Sequence, residues 1–253
     1  MLEIKDVHKS FGGLKAVNGC SLEVGKGSIT GLIGPNGAGK TTLFNVITGH
    51  YKPERGSILF KDQEIGGLAP HKVFAKNIYR TFQITREFSQ MSVLENLMLM
   101  PDRQTGEKIW NTWFKPAGVK KQERENKDKA LEVLEFVELI DLRDEYAGSL
   151  SGGQKKLLEL ARSMMADPEM VLLDEPGAGI NPTLMKKLMS NIQTLCDEKG
   201  ITFFLIEHDM DLVMKLCNPV IVMSEGKKLA EGTSEEIKSN KQVLEAYLGG
   251  QYR

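Results

Sequence analysis

Cysteine and excess charge of one sign are both scarce in this sequence. Cysteine occurs at three of 253 positions, Cys20, Cys196 and Cys217, without the CxxC spacing of a metal or redox motif. Reduced, buried thiols in a cytosolic protein are therefore expected. Lys and Arg total 33 against 34 Asp and Glu, for a net charge of -1. This balance provides no overall basic surface for binding nucleic acid, and we expect no nucleic-acid partner.

Long apolar runs are also missing. No window approaches the roughly 18 consecutive apolar residues that a membrane-spanning helix needs. The first ten residues, MLEIKDVHKS, lack the apolar core of a signal peptide. If the protein works at a membrane, we expect it to do so through a partner. The content of 41% hydrophobic and 26% charged residues is typical of a globular domain.

The N-terminal third alternates apolar and charged residues in the manner of β-strands. Strands near Leu2–Val7, Ser21–Val24 and Ser57–Phe60 predict a small antiparallel sheet. The run Ile29–Ile33 differs, because it is continuously apolar and leads into a glycine-rich loop. A helix over about Thr41–Thr48 is expected to follow that loop.

From about residue 70 to residue 146 charge density rises and apolar residues recur at helical spacing. This pattern predicts an α-helical subdomain, inserted at about residues 84–165, in which residues 105–119 form an irregular excursion. Helices and strands then alternate, as in a parallel α/β sheet. The predicted elements are helix Ser151–Ala166, strand Met170–Leu173, helix Asn181–Lys199, strand Ile201–Ile206, helix Asp209–Leu216, strand Val220–Met223 and a last helix from Thr233 to Gly249–Gly250. The fold class is α/β with a mixed sheet, in a single domain over residues 1–253.

The segment from Gly34 to Thr41 (GPNGAGKT) matches the phosphate-binding pattern GxxxxGK[ST] between a strand and a helix. Glycines let backbone N–H groups turn toward phosphates, and the following helix start favours negative charge. Lys40 would contact the β- and γ-phosphates, and the Thr41 hydroxyl would bind Mg²⁺. The candidate nucleotide-binding residues of this loop are Gly34, Asn36, Gly37, Ala38, Gly39, Lys40, Thr41 and Thr42.

Two carboxylates end the apolar run Met170–Leu173. Ligands of such sheets bind where strands end, so Asp174 is predicted to hold Mg²⁺ through water. Glu175 is predicted to be the general base that polarises an attacking water. The alternative is a carboxylate pair that only caps the next turn. His208, after the next strand, is a candidate contact of the γ-phosphate or a structural histidine.

The segment Ser151–Gln154 (SGGQ) opens a predicted helix and has the spacing of a capping box. A local cap is the simpler interpretation. It leaves Gly152 and Gly153 unexplained, because glycine costs helix propensity. They are explained if an anion must approach the helix start. We therefore predict that Ser151 of another molecule clamps the γ-phosphate held by the Lys40 loop.

In combination these motifs resemble the nucleotide-binding subunits of ATP-binding-cassette (ABC) transporters, over essentially the whole chain from Phe11 to about Leu248. LSGGQ between a phosphate loop and a strand ending in Asp-Glu is typical of that family. The resemblance implies a P-loop NTPase core, the cofactors ATP and Mg²⁺, and an ATP-dependent head-to-tail dimer. It also implies that Phe11 stacks on adenine with Val17 nearby, and that Gln83 contacts Mg²⁺ and the attacking water. His208 resembles the switch histidine.

One departure concerns the loop after Glu175. Many members have Ser-Ala-Leu-Asp where this chain has Ala-Gly-Ile-Asn, ending at Asn181. With RTFQ from Arg80, MSVLEN from Met91 and FFLIEHDM from Phe203, this variant resembles the branched-chain amino-acid importers. That likeness implies solute uptake powered at the cytoplasmic face of a membrane. The implied partners are an identical or paralogous second nucleotide-binding subunit, membrane-spanning permeases and an extracytoplasmic solute-binding protein.

Other functions remain open within and outside this family. The cargo could be urea, another amide or an exported lipid. An ABC ATPase acting on ribosomes or DNA usually joins two cassettes or carries a long coiled coil, and neither feature is present. A P-loop switch or kinase is disfavoured because the guanine-specific pattern NKxD is missing.

Overall fold

The computed structural model describes residues 1–81, 87–101, 104, 110, 113 and 116–249. Its strands, in chain order, are β1 (Leu2–Phe11), β2 (Leu14–Val24), β3 (Ile29–Ile33), β4 (Arg55–Phe60), β5 (Gln63–Glu64), β6 (Ile78–Arg80), β7 (Met170–Asp174), β8 (Thr202–Ile206), β9 (Val220–Ser224) and β10 (Lys227–Gly232). Its α-helices are α1 (Lys40–Ile47), α2 (Pro70–Phe74), α3 (Val93–Met98), α4 (Pro116–Phe136), α5 (Gly152–Met165), α6 (Pro182–Lys199), α7 (Met210–Leu216), α8 (Ser234–Ser239) and α9 (Lys241–Gly249). Two short 3-10 turns lie at Ile140–Leu142 and Ala147–Ser149.

Six strands form a mixed sheet in the order β10-β9-β3-β8-β7-β6. All neighbours in it run parallel except β10, which pairs antiparallel with β9. Strands β3, β7 and β8 are buried along their whole length, which explains their unbroken apolar sequences. The parallel register brings the carboxyl ends of β3, β7 and β8 to the same edge of the sheet. That edge is where the sequence analysis places the candidate site.

The second sheet is antiparallel, with the order β2-β1-β4-β5. Buried side chains of β1, β2 and β4 share one hydrophobic core with α1 and with strands of the mixed sheet. Within that core the rings of Phe44 and Phe204 lie 5.0 Å apart between centroids. Helix α1 is therefore packed between the two sheets, which fixes the loop that precedes it.

The chain forms two compact units. One comprises residues 1–83, 169–178 and 192–253, and contains both sheets; the other comprises residues 84–168 and 179–191. In the second unit, helices α3, α4 and α5 pack together through buried residues such as Leu97, Leu134 and Leu157. Among the helices that the structure describes, none is both long and apolar enough to cross a membrane.

Most predicted elements are confirmed to within one or two residues. Strand β1 extends past the predicted end to Phe11, and β2 begins before the predicted start, at Leu14. Strands β5, β6 and β10 were not predicted. Helix α4 begins at Pro116, so residues 116–119 are helical and not irregular. The exposed first half of α4 is rich in Lys, Glu, Gln and Arg, which favour a helix even where apolar residues do not recur at helical spacing. The last predicted helix is two helices, because the Asn240 side chain accepts the N–H groups of Gln242 and Val243 and starts α9 anew.

Candidate nucleotide-binding site

The loop between β3 and α1 depends on glycine at two tight positions. Gly34 has a φ of +149° and Gly39 a φ of +96°. A Cβ atom would lie 2.1 Å from the Met223 carbonyl oxygen at Gly34, and 2.1 Å from the Ala16 carbonyl oxygen at Gly39. Both contacts are with backbone, which cannot rotate away as a side chain could. A side chain at either position would therefore displace the loop.

The loop delivers an open helix start. Helix α1 begins after its N-cap residue Gly39, which has no side chain to cap the first N–H groups. Asn36, Gly37 and Thr41 are exposed beside it. Such a helix start, with bare N–H groups and a favourable dipole, is a general anion-binding site. This helix start suits the phosphate cradle predicted for the loop, and phosphate binding there stays a prediction.

Lys40 turns back over the loop. Its Nζ donates to the carbonyl oxygens of Gly34 at 2.8 Å and Pro35 at 3.1 Å. Burial lowers the pKa of the Lys40 ammonium group below its ordinary value, and the charges of Glu175 and Asp174 oppose that shift. A phosphate that replaced the two carbonyl oxygens would be a stronger, charged partner.

Glu175 and His208 come together at the ends of the neighbouring strands β7 and β8. The Glu175 N–H donates to the Ile206 carbonyl at 3.0 Å, which extends the strand pairing by one residue. His208 Nε2 then lies 2.8 Å from Glu175 Oε1. Glu175 has a φ of +52°, in the left-handed region, which costs a non-glycine residue free energy. The structure thus joins two residues that are 33 positions apart in the sequence.

These residues border one cavity of about 290 Å³. It is lined by Phe11, Leu14, Ala16, the loop from Asn36 to Thr42, Glu175 and His208. Phe11 is 42% exposed, and its ring meets Tyr51 edge to face with 5.0 Å between centroids. Val17, predicted to lie near adenine, is fully buried in the core, and its neighbour Ala16 lines the cavity instead.

The predicted magnesium residues differ in their surroundings. Thr41 is exposed at the start of α1, whereas Asp174 is 3% exposed and its Oδ2 accepts from Arg80 at 2.9 Å. In the described part of the chain, no three His, Cys, Asp or Glu side chains converge as a metal-binding group. A hydroxyl and a carboxylate suit Mg²⁺, which takes one or two protein ligands alongside phosphates and water. Gln83 lies outside the described residues.

Comparisons with known proteins agree with this geometry. The ABC transporter family model matches residues 17–178, and a model described as branched-chain amino acid ATP-binding cassette transporter matches residues 227–253. The high-affinity branched-chain amino acid transport ATP-binding protein BraF of Pseudomonas aeruginosa is 43% identical over 249 residues, covering 98% of both chains. LivG of Escherichia coli, which bears the same description, is 41% identical over 98% of both chains. This chain belongs to the ABC transporter family.

The ABC fold is also found by structural comparison. The crystal structure of a nucleotide-free ATP-binding cassette from an ABC transporter has a TM-score of 0.83 at 40% identity, over 97% of this chain and 98% of that one. A cassette solved in its ADP conformation also has a TM-score of 0.83, at 36% identity. The predicted fold class, a P-loop ABC ATPase core with a mixed sheet and an antiparallel sheet, is confirmed. ATP hydrolysis is the activity of this family.

The ABC signature segment lies in the second compact unit. Ser151 is the N-cap of α5: its Oγ accepts from the Gln154 N–H at 3.4 Å, and the Gln154 Oε1 accepts from the Ser151 N–H at 2.9 Å. The capping box is thus present, and Ser151 and Gly152 are also exposed. A Cβ atom at Gly152 would meet only the Gly179 carbonyl, at 3.8 Å. Local side chains therefore cap the start of α5, and its first residues are still accessible to a partner.

Gly153 and Asn181 have local reasons for their identity. A Cβ atom on the buried Gly153 would lie 2.4 Å from Leu184 Cδ1 and 3.2 Å from Ile180 Cγ2, so packing is a local reason for this glycine beside the predicted anion access. The Asn181 Oδ1 accepts the Leu184 N–H at 2.9 Å and caps α6. Asn and Asp are about equally good caps, so replacement of the usual Asp leaves this turn intact.

Two residues of the site were missed by sequence reasoning. Arg80 pairs with Asp174, and Glu207 is buried between two loops, accepting from Gly177 N–H at 2.6 Å and His208 N–H at 3.1 Å. Burial raises the pKa of the Glu207 carboxyl, and those backbone donors oppose the rise. Each is a charged residue at the end of a strand that leads into the site. A charged residue at such a strand end was the sequence signal that could have identified both residues.

Proposed function

We propose that this chain is the ATP-hydrolysing subunit of an importer for branched-chain amino acids. Two nucleotide-binding subunits act together at the cytoplasmic face of a membrane, attached to permease subunits that receive cargo from a solute-binding protein. The observation that carries the catalytic part is the Glu175–His208 pair, 2.8 Å apart on the wall of the cavity that the phosphate loop also lines. The cargo is supported by the names of the relatives, which align with nearly the whole chain.

ATP binding uses the groups exposed in the cavity. The half-exposed Phe11 ring offers a stacking surface for adenine. Backbone N–H groups of the loop from Asn36 to Thr42 bind the phosphates, and Lys40 exchanges its two carbonyl partners for phosphate oxygens. This exchange stabilises the complex because a phosphate oxygen carries negative charge that attracts the ammonium group, whereas a carbonyl oxygen is a neutral acceptor.

Mg²⁺, when bound, neutralises charge on the phosphates that would otherwise oppose nucleophilic attack. Thr41 would offer it a hydroxyl from the start of α1. Asp174, at the end of β7, would hold it through water, and Gln83 is assigned to the same ion through the resemblance. This donor set agrees with an ion whose remaining ligands are phosphate oxygens and water.

Hydrolysis requires a base beside the γ-phosphate. Glu175, whose side chain is 18% exposed, orients the attacking water and takes its proton. His208, whose side chain is 44% exposed, holds the Glu175 carboxylate through Nε2 before ATP binds and exchanges that partner for the γ-phosphate when ATP enters. These interactions are made fully in the transition state, which is the condition for catalysis.

The second subunit completes the site. Ser151, Gly152, Gly153 and Gln154 of one subunit cover the γ-phosphate held by the other, and the loop that ends at Asn181 follows the same interface. Ser151 is exposed and its Oγ can accept and donate at once, so it can cap α5 and contact a phosphate together. Hydrolysis by an isolated monomer is expected to be slow because the water and the γ-phosphate are not yet held in position.

The test of pairing uses Glu175→Gln, which should bind ATP without hydrolysing it. We expect this variant to elute as a dimer with saturating ATP and as a monomer with ADP, measured by size exclusion with light scattering. Glu132→Gln, an equivalent change at an exposed site on α4, is the control and should stay monomeric at equilibrium. A monomeric, ATP-saturated Glu175→Gln chain would contradict the proposed pair.

The cargo is tested separately. Cells lacking this chain should regain uptake of labelled leucine, isoleucine and valine when the native chain is restored, and should not regain it with Glu175→Gln. Urea and an unrelated amino acid serve as control solutes. Restored urea uptake without leucine uptake would reassign the cargo while leaving the ATPase assignment intact.

A further inference from the structure

Arg80 occupies an unusual place at the end of β6. Its side chain is 7% exposed and that of Asp174 is 4% exposed, yet both are charged. The guanidinium Nη2 donates to Asp174 Oδ2 at 2.9 Å. The motifs used above assign no role to this arginine.

The same guanidinium reaches the helix that follows the phosphate loop. Its Nη1 donates to Asn45 Oδ1 at 2.7 Å and to Thr48 Oγ1 at 3.1 Å. The Thr48 hydroxyl donates in turn to the Phe44 carbonyl at 2.7 Å, which fixes it as an acceptor for Arg80. One side chain therefore connects the strand end that carries Asp174 with the helix that carries Thr41.

Charge alone does not explain this arrangement. A positive charge beside Asp174 weakens the attraction of that carboxylate for a cation, and buried ion pairs contribute little net stability because both charges lose their hydration. What an arginine provides is its planar fork, which fixes the direction of each partner. The Asp174 carboxylate is held through Oδ2, which leaves Oδ1 for a metal-bound water.

We propose that Arg80 is a positioning residue of the magnesium site, holding Asp174 of β7 in a fixed orientation relative to α1. The inference rests on the proposed function, because that assigns Thr41 and Asp174 to Mg²⁺. Groups of this kind, which orient a metal-binding side chain, change metal affinity by about 10- to 100-fold when removed. Their loss should leave binding of the nucleotide without metal nearly unchanged.

The experiment measures how strongly Mg²⁺ tightens the binding of a fluorescent ADP analogue to the full chain. The readout is the ratio of the dissociation constant in EDTA to that in excess Mg²⁺, which requires no turnover. We expect Arg80→Met to lower this ratio about tenfold, while the dissociation constant in EDTA changes less than about twofold. Arg80→Lys, which keeps the charge but loses the fork, should lower the ratio similarly. Asn45→Ala, which keeps the ion pair but loosens its link to α1, should lower it about threefold.

The control is Asp174→Asn. An unchanged ratio in that variant would overturn the proposed metal role of Asp174, and the inference about Arg80 with it. A lower ratio in Asp174→Asn with an unchanged ratio in Arg80→Met would overturn only the role of Arg80. Equal weakening of ADP-analogue binding in EDTA and in Mg²⁺ would indicate that Arg80 is purely structural. A normal ratio in Arg80→Lys would show that its positive charge is enough for Mg²⁺ binding. Either result would overturn the proposal that Arg80 positions Asp174. If Arg80→Met fails to fold, Arg80→Lys and Asn45→Ala decide the question.

Discussion

Two helices of this protein begin beside glycines, and they begin in opposite ways. Helix α1 follows Gly39, which has a φ of +96° and no side chain with which to cap the helix. Helix α5 follows Ser151, which caps it in a capping box with Gln154. The loop before α1 holds its glycines in conformations or contacts that exclude a side chain. Gly152 of α5 has room for one, and Gly153 is restricted by the side chains of Leu184 and Ile180 and not by backbone.

This difference separates two kinds of anion site. The start of α1 is held open by its own backbone, so we expect it to bind phosphate in a single chain. The start of α5 is already satisfied by local hydrogen bonds and gains a phosphate only when another subunit presents one. Glycine-rich sequence alone would not distinguish them, because both segments suggest anion access.

The largest effect is expected from adding a methyl group to the α1 start. Gly39→Ala places Cβ about 2.1 Å from the Ala16 carbonyl and requires a left-handed backbone. We expect the free energy of unfolding to fall by about 3 kcal/mol or more, and binding of ADP to be lost. Urea unfolding and fluorescent ADP titration measure the two quantities.

Gly152→Ala is the matched control for that change. Alanine is the better helix former and meets only the Gly179 carbonyl at 3.8 Å, so stability should stay level or rise by up to about 1 kcal/mol. ADP binding should remain at the native level. Native ADP affinity in Gly39→Ala would contradict the view that the backbone of this loop forms the site.

A smaller effect is expected at Gly153. Gly153→Ala crowds Leu184, and we expect it to lower the free energy of unfolding by about 1–3 kcal/mol. Leu184→Ala removes the nearest contact, so the same substitution should cost less in that background. A double-mutant cycle measures the coupling. Equal costs in both backgrounds would show that packing is not the reason for this glycine.

Much of the site could be predicted from sequence because its parts are local. The pattern around Lys40 specifies a strand, loop and helix together, and the apolar run before Asp174 identifies a buried strand. The pairing of Glu175 with His208 and the bridge from Arg80 to Asn45 depend on the order of strands in the sheet. No short motif encodes that order. The last helix and the start of α4 were mispredicted for the opposite reason. At Asn240 a local helix cap, and after Pro116 the helix propensity of the residues, outweigh the pattern seen over a longer stretch of sequence.

The smallest stability effect, about 1 kcal/mol, is expected for Ser151→Ala, because it removes the cap of α5. Ser151→Asp is the sharper variant, since aspartate caps a helix as well as serine but carries a negative charge. We expect Ser151→Asp to unfold at the same denaturant concentration as the native chain and to bind ADP normally as a monomer. Its ATP hydrolysis and its ATP-dependent pairing in the Glu175→Gln background should nevertheless be lost, because a carboxylate would face the γ-phosphate.

Ser92 provides the matched control for this substitution. It caps α3 in a capping box with Glu95, in the same compact unit as Ser151. Ser92→Asp should therefore leave stability, pairing and hydrolysis unchanged. If Ser151→Asp behaves like Ser92→Asp, the serine of α5 is only a helix cap, and the second subunit must complete the site with other residues. If only Ser151→Asp loses pairing, the repulsion places the α5 start against a phosphate, since the two variants add the same charge to equivalent helix starts.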